Sequence, residues 1–507
     1  MYKQSPIRIP TYGSSLQILF RNNRYNTPMP DYYQFMVPRL NGDDIRKRFS
    51  SYCSLVRKGV AGFIIFGGEL ETVRTHIKKL QDAAEFPLII ASDLERGLGQ
   101  QVRGGTLFPP AMALAATVQK CKGRKAEARK KLSRVRKSFR AVAVEAKYAG
   151  INTVFAPVLD INTNPRNPII AVRAFGEDPA TVSRFGTEMI QTLQKNGIAA
   201  CGKHFPGHGD TSVDSHIKLP LLKQNLRRLK HYELKPFQKA IASGVRMIML
   251  GHLSVPALDP SGMPVSFSRG AVQFLRRDMG YDGLLITDAL NMGGIGKYAE
   301  EEASRLALEA GVDILLHPSD PERTASFLIK EKVLAHPDRL LSFRKGLNPI
   351  LDEAMPLFTR HGRLSEKLTA DAITCKGNVC IKGLPLLIVL NDEAEEKGEV
   401  FSHGMERQFP GMRVFRLAPG SGQIRIDKKD HEFMIIAIFS ETKAWKGGAS
   451  SWLFRRLSSF LGQADLVMSF GSPYLLRDIG KVPGISIYWD AEQAQKAVAD
   501  MLINCCT

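Results

Sequence analysis

Eight short apolar runs rich in β-branched residues punctuate the first 345 positions, and segments of helical period lie between them. The runs are Phe35–Pro38, Phe63–Phe66, Leu88–Ala91, Thr153–Ala156, Ala199–Gly202, Met247–Leu250, Leu284–Thr287 and Val312–Leu316. Helical patterns include Asp178–Lys195, Gln224–Ser243 and Glu301–Ala310. Strands that alternate with helices build a parallel sheet. Eight such units in roughly 300 residues fit a (β/α)8 barrel in size and count. An open doubly wound sheet is the alternative, but no G-x-G-x-x-G follows an early strand, so no dinucleotide crevice is indicated.

The pattern changes past residue 345. LPLLIVLND, MRVFRL, EFMIIAIFS, DLVMSFG and GISIYWD read as five short buried strands, with helices at Ser451–Leu461 and Glu492–Leu502. The expected class is α/β: a (β/α)8 TIM-like barrel over 1–345, a linker over 346–380, and a smaller α/β sandwich domain over 381–507. A chain of 507 residues has room for both cores without metal or disulfide staples. Its seven cysteines are odd in number and scattered, unlike a disulfide framework. Cys375 and Cys380 lack the second pair that a zinc site needs. No apolar run reaches membrane-spanning length, and the first residues carry no signal-peptide pattern. A cytoplasmic protein without a membrane span is expected. Nothing in the pattern speaks to oligomeric state.

The formal charge is +20, and much of the excess sits between Lys120 and Arg140, where eleven basic residues accompany one acid. Helical spacing there reads as a helix with a wet basic face. Nucleic-acid binding is the lesser reading, because Phe139 is the run's only aromatic residue and single-strand binders interleave stacking rings with their charge.

Barrel chemistry sits beyond the C-terminal ends of the strands. Polar, ionisable residues cluster at those points here: SDLERG, PVLDINTNPRNP, KHFPGHGDTSVDSH, GHLS and Asp288. The third segment, Lys203–His216, holds three histidines, a lysine and two aspartates within fourteen residues. Pro206, Gly207 and Gly209 forbid a regular helix, so the segment is a loop. One reading makes His204, His208 and His216 metal ligands, but the Pro-Gly interruption spoils the fixed spacing such sites favour. A second makes Asp214 and His216 an acid/base pair. Imidazole titrates near neutrality, and a carboxylate two residues away orients the ring. A third is a loop held rigid by its own hydrogen bonds.

KHFPGHGDTSVDSH resembles the signature of family 3 glycoside hydrolases, in the β-N-acetylhexosaminidase (NagZ-type) branch. The likeness extends through SDLERG, GGTLFPPAMALAAT, INTVFAPVLDINTNPRNPII, VRAFGEDP, SFS and GLLITDALNM, roughly Phe35 to Pro318. SFGSPYLL resembles the smaller domain that many members carry. The resemblance implies a retaining mechanism with Asp288 as nucleophile and His216, held by Asp214, as acid/base. It implies that Asp93, Arg173, Lys203 and His204 bind the N-acetylglucosamine ring, with no metal and no cofactor. The family motif carries an arginine eight residues after the first aspartate; here that position is Gln101, with Arg103 two residues on.

The implied activity is retaining exo-β-N-acetylglucosaminidase action on terminal β-linked N-acetylglucosamine. The substrate is an N-acetylglucosamine-containing glycan or muropeptide fragment, which implies peptidoglycan recycling. The alternatives are a family 3 β-glucosidase, which draws its acid/base from a second-domain glutamate, and an N-acetylglucosamine phosphorylase. A sugar- or nucleic-acid-binding protein without catalysis has no need of the Asp288, Asp214 and His216 set.

Overall fold

Pro38 divides the first barrel strand, because its ring removes a ladder donor. In the computed structural model, which describes residues 31–121, 123–347, 354–422, 424–441, 446 and 448–504, Met36–Val37 (β1) and Arg39–Asn41 (β2) pair with different neighbours. β1 runs parallel to Leu315–Leu316 (β9), and β2 runs parallel to Gly62–Phe66 (β3). The ring continues in parallel through Ile89–Ser92 (β4), Thr153–Val154 (β5), Ala199–Phe205 (β6), Met247–Leu250 (β7) and Leu284–Thr287 (β8). A bridge between Ile286 and Ile314 carries the circuit from β8 to β9. All eight apolar runs of the sequence thus lie in one curled parallel sheet. Strands β4, β6, β7 and β8 are buried along their whole length, as a sheet with helices outside and packed side chains inside requires.

The helices fall largely where periodicity places them. Pro179–Lys195 begins at Asp178, whose side chain accepts a hydrogen bond from the Thr181 N–H, an N-cap followed by proline at the first helical position. The span Gln224–Ser243 is corrected: it forms two helices, Leu226–His231 and Lys235–Ala242. Pro236 lacks an N–H and disfavours helix in the residue before it, so it opens the second helix instead of continuing the first.

The segment read as a linker holds a helix, Phe358–Ala372, and a strand, Thr374–Lys376 (β10). The helix buries Ser365, Leu368, Thr369 and Ala372 against helices Ala111–Gln119 and Lys125–Tyr148. It is also tied by charge: Glu145 receives His361 Nδ1 at 2.7 Å, and Asp371 receives Arg134 at 2.5 Å and Lys131 at 3.5 Å. Part of the basic run therefore turns inward through Lys131 and Arg134, while Arg136 binds Glu188 at the surface and Arg129, Lys130, Lys137 and Arg140 stay exposed.

The remaining strands are Leu384–Asn391 (β11), Arg413–Leu417 (β12), Glu432–Ser440 (β13), Leu466–Gly471 (β14) and Gly484–Ser486 (β15). With β10 they form one sheet, ordered β10-β15-β14-β13-β11-β12, parallel except at the β10–β15 edge. Alternate residues feed two cores: Leu387, Val389, Ile435 and Met468 on one face, and Leu386, Ile388, Ile436 and Val467 on the other. The C-terminal ends of these strands meet the barrel rim. Arg96 lies over the Trp489 ring at 4.7 Å and pairs with Glu441 at 3.5 Å, while Arg477 pairs with Glu177 at 2.5 Å. Among the described residues, no helix is long and apolar enough to cross a membrane.

Candidate active site

The strand ends open on a cavity of about 360 Å³ lined by Asp93, Arg173, Lys203, His204, His216 and Asp288. Asp214, the remaining residue singled out in the sequence, stands behind His216 and bonds to it.

One wall is a buried charge cluster. Lys203 Nζ lies 2.6 Å from Asp93 Oδ1 and 2.8 Å from Glu95 Oε1. Arg173 grips Glu95 through two parallel bonds, Nε at 3.0 Å and Nη2 at 2.8 Å, and its third nitrogen donates to the Ile169 carbonyl. Burial pushes the Glu95 carboxyl up, but Arg173 and Lys203 outweigh it and hold the group well below the ordinary carboxylate range. Burial would favour a neutral Lys203, yet Asp93 and Glu95 raise its pKa above the usual lysine value. Glu95, Arg173 and Lys203 therefore stay charged at neutral pH, and the cluster presents fixed donors and acceptors to the cavity.

His204 and His208 are fixed by Asp160, a fully buried carboxylate at the end of PVLD. His204 Nδ1 lies 2.7 Å from Asp160 Oδ2, and the His208 N–H donates to Asp160 Oδ1 at 2.7 Å. Burial raises the Asp160 pKa, but the two histidines and that N–H bring it below the usual value. Thr211 Oγ1 meets His208 Nδ1 at 2.8 Å. The other ring nitrogen, Nε2, is buried without a hydrogen-bond partner, and the residue lines the cavity. Burial lowers the His208 pKa to about 4, so the ring is neutral near pH 7. Each of the three loop histidines has its own separate carboxylate or hydroxyl partner.

Asp288 follows β8 directly. Its N–H bonds to the Leu250 carbonyl on β7 and its Oδ1 accepts from the Ala289 N–H, both at 2.9 Å, so backbone and carboxylate are held together. Burial pushes the carboxyl up, while His204, His252, His216 and the Ala289 N–H together bring it below its ordinary value. His252, from GHLS, donates through Nε2 to the Ala289 carbonyl at 3.0 Å and accepts at Nδ1 from Ser266 at 2.6 Å. It anchors the turn that carries Asp288.

The loop bearing His216 rests on that same turn. The Gly293 N–H donates to the His216 carbonyl at 3.0 Å. A Cβ on Gly294 would stand 2.5 Å from the Ser215 oxygen and 2.7 Å from the His252 Cβ. The glycine pair after ITDALNM lets the two segments approach without a side chain between them.

Gln101 lines the cavity, but Arg103 does not take the place of the missing arginine. It is 59% exposed and pairs with Asp43 and Glu69 on the outside of the rim. Four residues that the sequence reading did not assign help to build the site: Glu95, Asp160, Arg39 and His317. Arg39 opens β2, His317 follows β9, and both line the cavity.

The sequence pattern described as "Glycosyl hydrolase family 3 N terminal domain" matches residues 37–335. "Beta-hexosaminidase A" of Pseudoalteromonas piscicida is 35% identical over 285 residues, covering 52% of this chain and 46% of that protein. "Beta-hexosaminidase" of Thiobacillus denitrificans is 33% identical over 297 residues, covering 57% and 78%. The solved structure of a glycoside hydrolase family 3 beta-N-acetylglucosaminidase from Paenibacillus sp. is similar with a TM-score of 0.76 at 26% identity, over 95% of this chain and 97% of that one. The chain thus spans about half the length of the Pseudoalteromonas relative. Matched over 37–335, more than half of its residues, the chain belongs to glycosyl hydrolase family 3.

Proposed function

We propose that the protein is a retaining exo-β-N-acetylglucosaminidase that removes terminal β-linked N-acetylglucosamine. The observation that carries this reading is the pairing of His216 Nδ1 with Asp214 at 2.8 Å on a loop packed against the turn of Asp288. The names of the relatives favour the acetylated sugar over glucose. The catalytic unit in this reading spans residues 1–345, of which 1–30 lie outside the described residues, and residues 381–507 form a second domain that steadies the barrel mouth through Arg96.

Asp288, ionised and held by the Ala289 N–H, attacks the anomeric carbon. His216 gives its proton to the departing glycosidic oxygen, then takes one from the water that releases the glycosyl enzyme. Asp214 orients the imidazole and stabilises its charged form. Asp93 accepts hydroxyl protons from the ring, and Lys203, Arg173 and His204 fix it beside the nucleophile. The pair supplies both proton transfers from within the barrel, so no glutamate from the second domain is required, unlike the β-glucosidase alternative. The substrate is a muropeptide fragment, and the setting is cytoplasmic peptidoglycan recycling.

The test is a paired assay of nitrophenyl β-N-acetylglucosaminide and nitrophenyl β-glucoside in chelator-treated buffer, with and without inorganic phosphate. Release from the acetylated sugar alone, with free N-acetylglucosamine as product, is expected. Preference for the glucoside would sink the sugar assignment, and a sugar 1-phosphate product would replace hydrolysis by phosphorolysis.

A further inference from the structure

The helix Lys125–Tyr148 separates its residues onto two faces. Leu132, Val135, Phe139 and Val142 are buried in the barrel core. Of the eight exposed residues between 125 and 140, six are basic: Lys125, Arg129, Lys130, Arg136, Lys137 and Arg140. The other two, Ala126 and Ser133, are small. At about 3.6 residues per turn these positions form one stripe, about 140° wide and about 22 Å long, on the side away from the core.

The helix holds two acids, and neither lies on the stripe. Glu145 is buried against His361, and Glu127 binds Arg124 and Lys131. The adjacent helix Pro179–Lys195 has one acid, Glu188, and Arg136 takes both of its oxygens at 2.6 and 2.7 Å. Among the described residues, Lys125, Arg129, Lys130, Lys137 and Arg140 enter no ion pair. Lys125 with Arg129, and Arg140 with both Arg136 and Lys137, are like charges at neighbouring helix positions, which repel. The fold relieves this repulsion only at Arg136; an anionic surface would relieve it along the whole stripe.

We infer that the stripe docks the protein on an anionic lipid bilayer, with the helix axis lying in the plane of the headgroups. The apolar face of the helix is used by the barrel core, so the contact is electrostatic and involves no insertion. A straight stripe on a convex wall meets a plane of mobile lipid charges along its full length. A nucleic acid fits it less well. Single strands need exposed rings to stack on, and Phe139 is buried. A duplex reader sinks its helix into a groove, whereas this helix is packed against both Pro179–Lys195 and Phe358–Ala372. The C-terminal end of the helix leads into β5 at the barrel floor, and no stripe residue lines the sugar cavity. Docking through the wall therefore leaves the mouth open. The inference is independent of which sugar the cavity holds.

The experiment is co-sedimentation of the full chain with vesicles of phosphatidylcholine alone and of phosphatidylcholine with about one-third phosphatidylserine. Wild type is compared with the stripe variant Arg129→Gln/Lys130→Gln/Lys137→Gln/Arg140→Gln. The control, Lys235→Gln/Lys239→Gln/Arg277→Gln/Lys330→Gln, removes the same charge from exposed sites elsewhere on the barrel. Wild type is expected to bind the anionic vesicles alone and to be released by added salt. Each basic residue near such a surface strengthens binding about fivefold, so the stripe variant should lose about 100-fold or more in partitioning. The control should lose less than about tenfold, since charges beyond a Debye length are screened. Circular dichroism and turnover of nitrophenyl β-N-acetylglucosaminide in solution should be unchanged in the stripe variant. If that variant does not fold, Arg129→Gln/Lys130→Gln supplies the same comparison with an expected loss of about 20-fold. Failure of wild type to bind anionic vesicles at low salt overturns the inference. Equal losses in the stripe variant and the control also overturn it, by assigning binding to overall charge. Binding of a duplex oligonucleotide as tight as that of the vesicles, and lost in the stripe variant, overturns the lipid assignment in favour of nucleic acid.

Discussion

Oδ1 of Asp214 meets both the ring Nδ1 and the backbone N–H of His216, each at 2.8 Å. One carboxylate oxygen thus fixes the imidazole at its ring and at its root. Two residues of separation achieve this only in a tight turn, which the glycines and proline upstream permit. His216→Ala is expected to lower kcat by about 100- to 10,000-fold on a disaccharide, in line with the loss of general acid/base transfer. The loss should be smaller with a nitrophenol leaving group, which departs with little protonation. Asp214→Asn keeps the shape and removes the charge, and should cost about 10- to 100-fold. Steady-state kinetics on both substrates decide this; equal losses on both would argue against proton donation by His216.

Gly294 tests whether the contact between the loop and the Asp288 turn matters. A methyl group there meets the Ser215 oxygen and the His252 Cβ, so one of the segments must move. Gly294→Ala should fold and should lose about tenfold or more in kcat, since small displacements of reacting groups are costly. Circular dichroism and thermal melting would verify the fold. Wild-type turnover in the variant would show that the loop carries no positional role.

Glu95 tests the charge cluster as structure. Glu95→Gln leaves Arg173 and Lys203 short of negative charge in a buried wall. Breaking such a cluster costs about 3–5 kcal/mol, more than replacing it whole. Urea unfolding should report a loss on that order, along with a higher KM. Unchanged stability would mean that water reaches the cluster freely.

His208 supplies a pH dependence of stability. In the unfolded chain it protonates near the ordinary histidine value, about 6.5, whereas burial holds the folded value at about 4. Between these values the unfolded state binds more protons, so stability falls as pH drops from about 6.5 to about 4 and changes no further below that. Between pH 7 and 5 the loss is about 2 kcal/mol. Chemical unfolding of His208→Gln at the two pH values should show that increment removed. An identical pH slope in the variant would place the dependence on other groups.

The barrel was legible because its strands are short, buried and mostly apolar runs, such as Met247–Leu250 and Leu284–Ile286. The site loop was legible because Lys203 to His216 packs its chemistry into consecutive positions. Asp160 and Glu95 were harder to assign, since their partners His204 and Arg173 lie 44 and 78 residues away. The cue available was an acid just beyond a strand end, in PVLD and SDLERG. The helix Phe358–Ala372 was hidden for another reason. Its buried face is built of Ser365, Thr369 and Ala372 around Leu368, too polar a stripe to stand out by periodicity. The break between Leu226–His231 and Lys235–Ala242 carried a visible signal in Pro236. Gln101 and Arg103 differ by two positions in the chain, yet only the former turns toward the cavity.

The most direct measurement is covalent trapping of the nucleophile. The protein would be incubated with a fluorinated N-acetylglucosaminyl fluoride, whose glycosyl enzyme forms quickly and hydrolyses slowly, and then analysed by intact-mass and peptide mass spectrometry. The expected result is one sugar per chain, on the peptide containing Asp288, and no label on Asp288→Asn. Label on another carboxylate, or continued turnover by Asp288→Asn, would contradict a nucleophile at the end of β8.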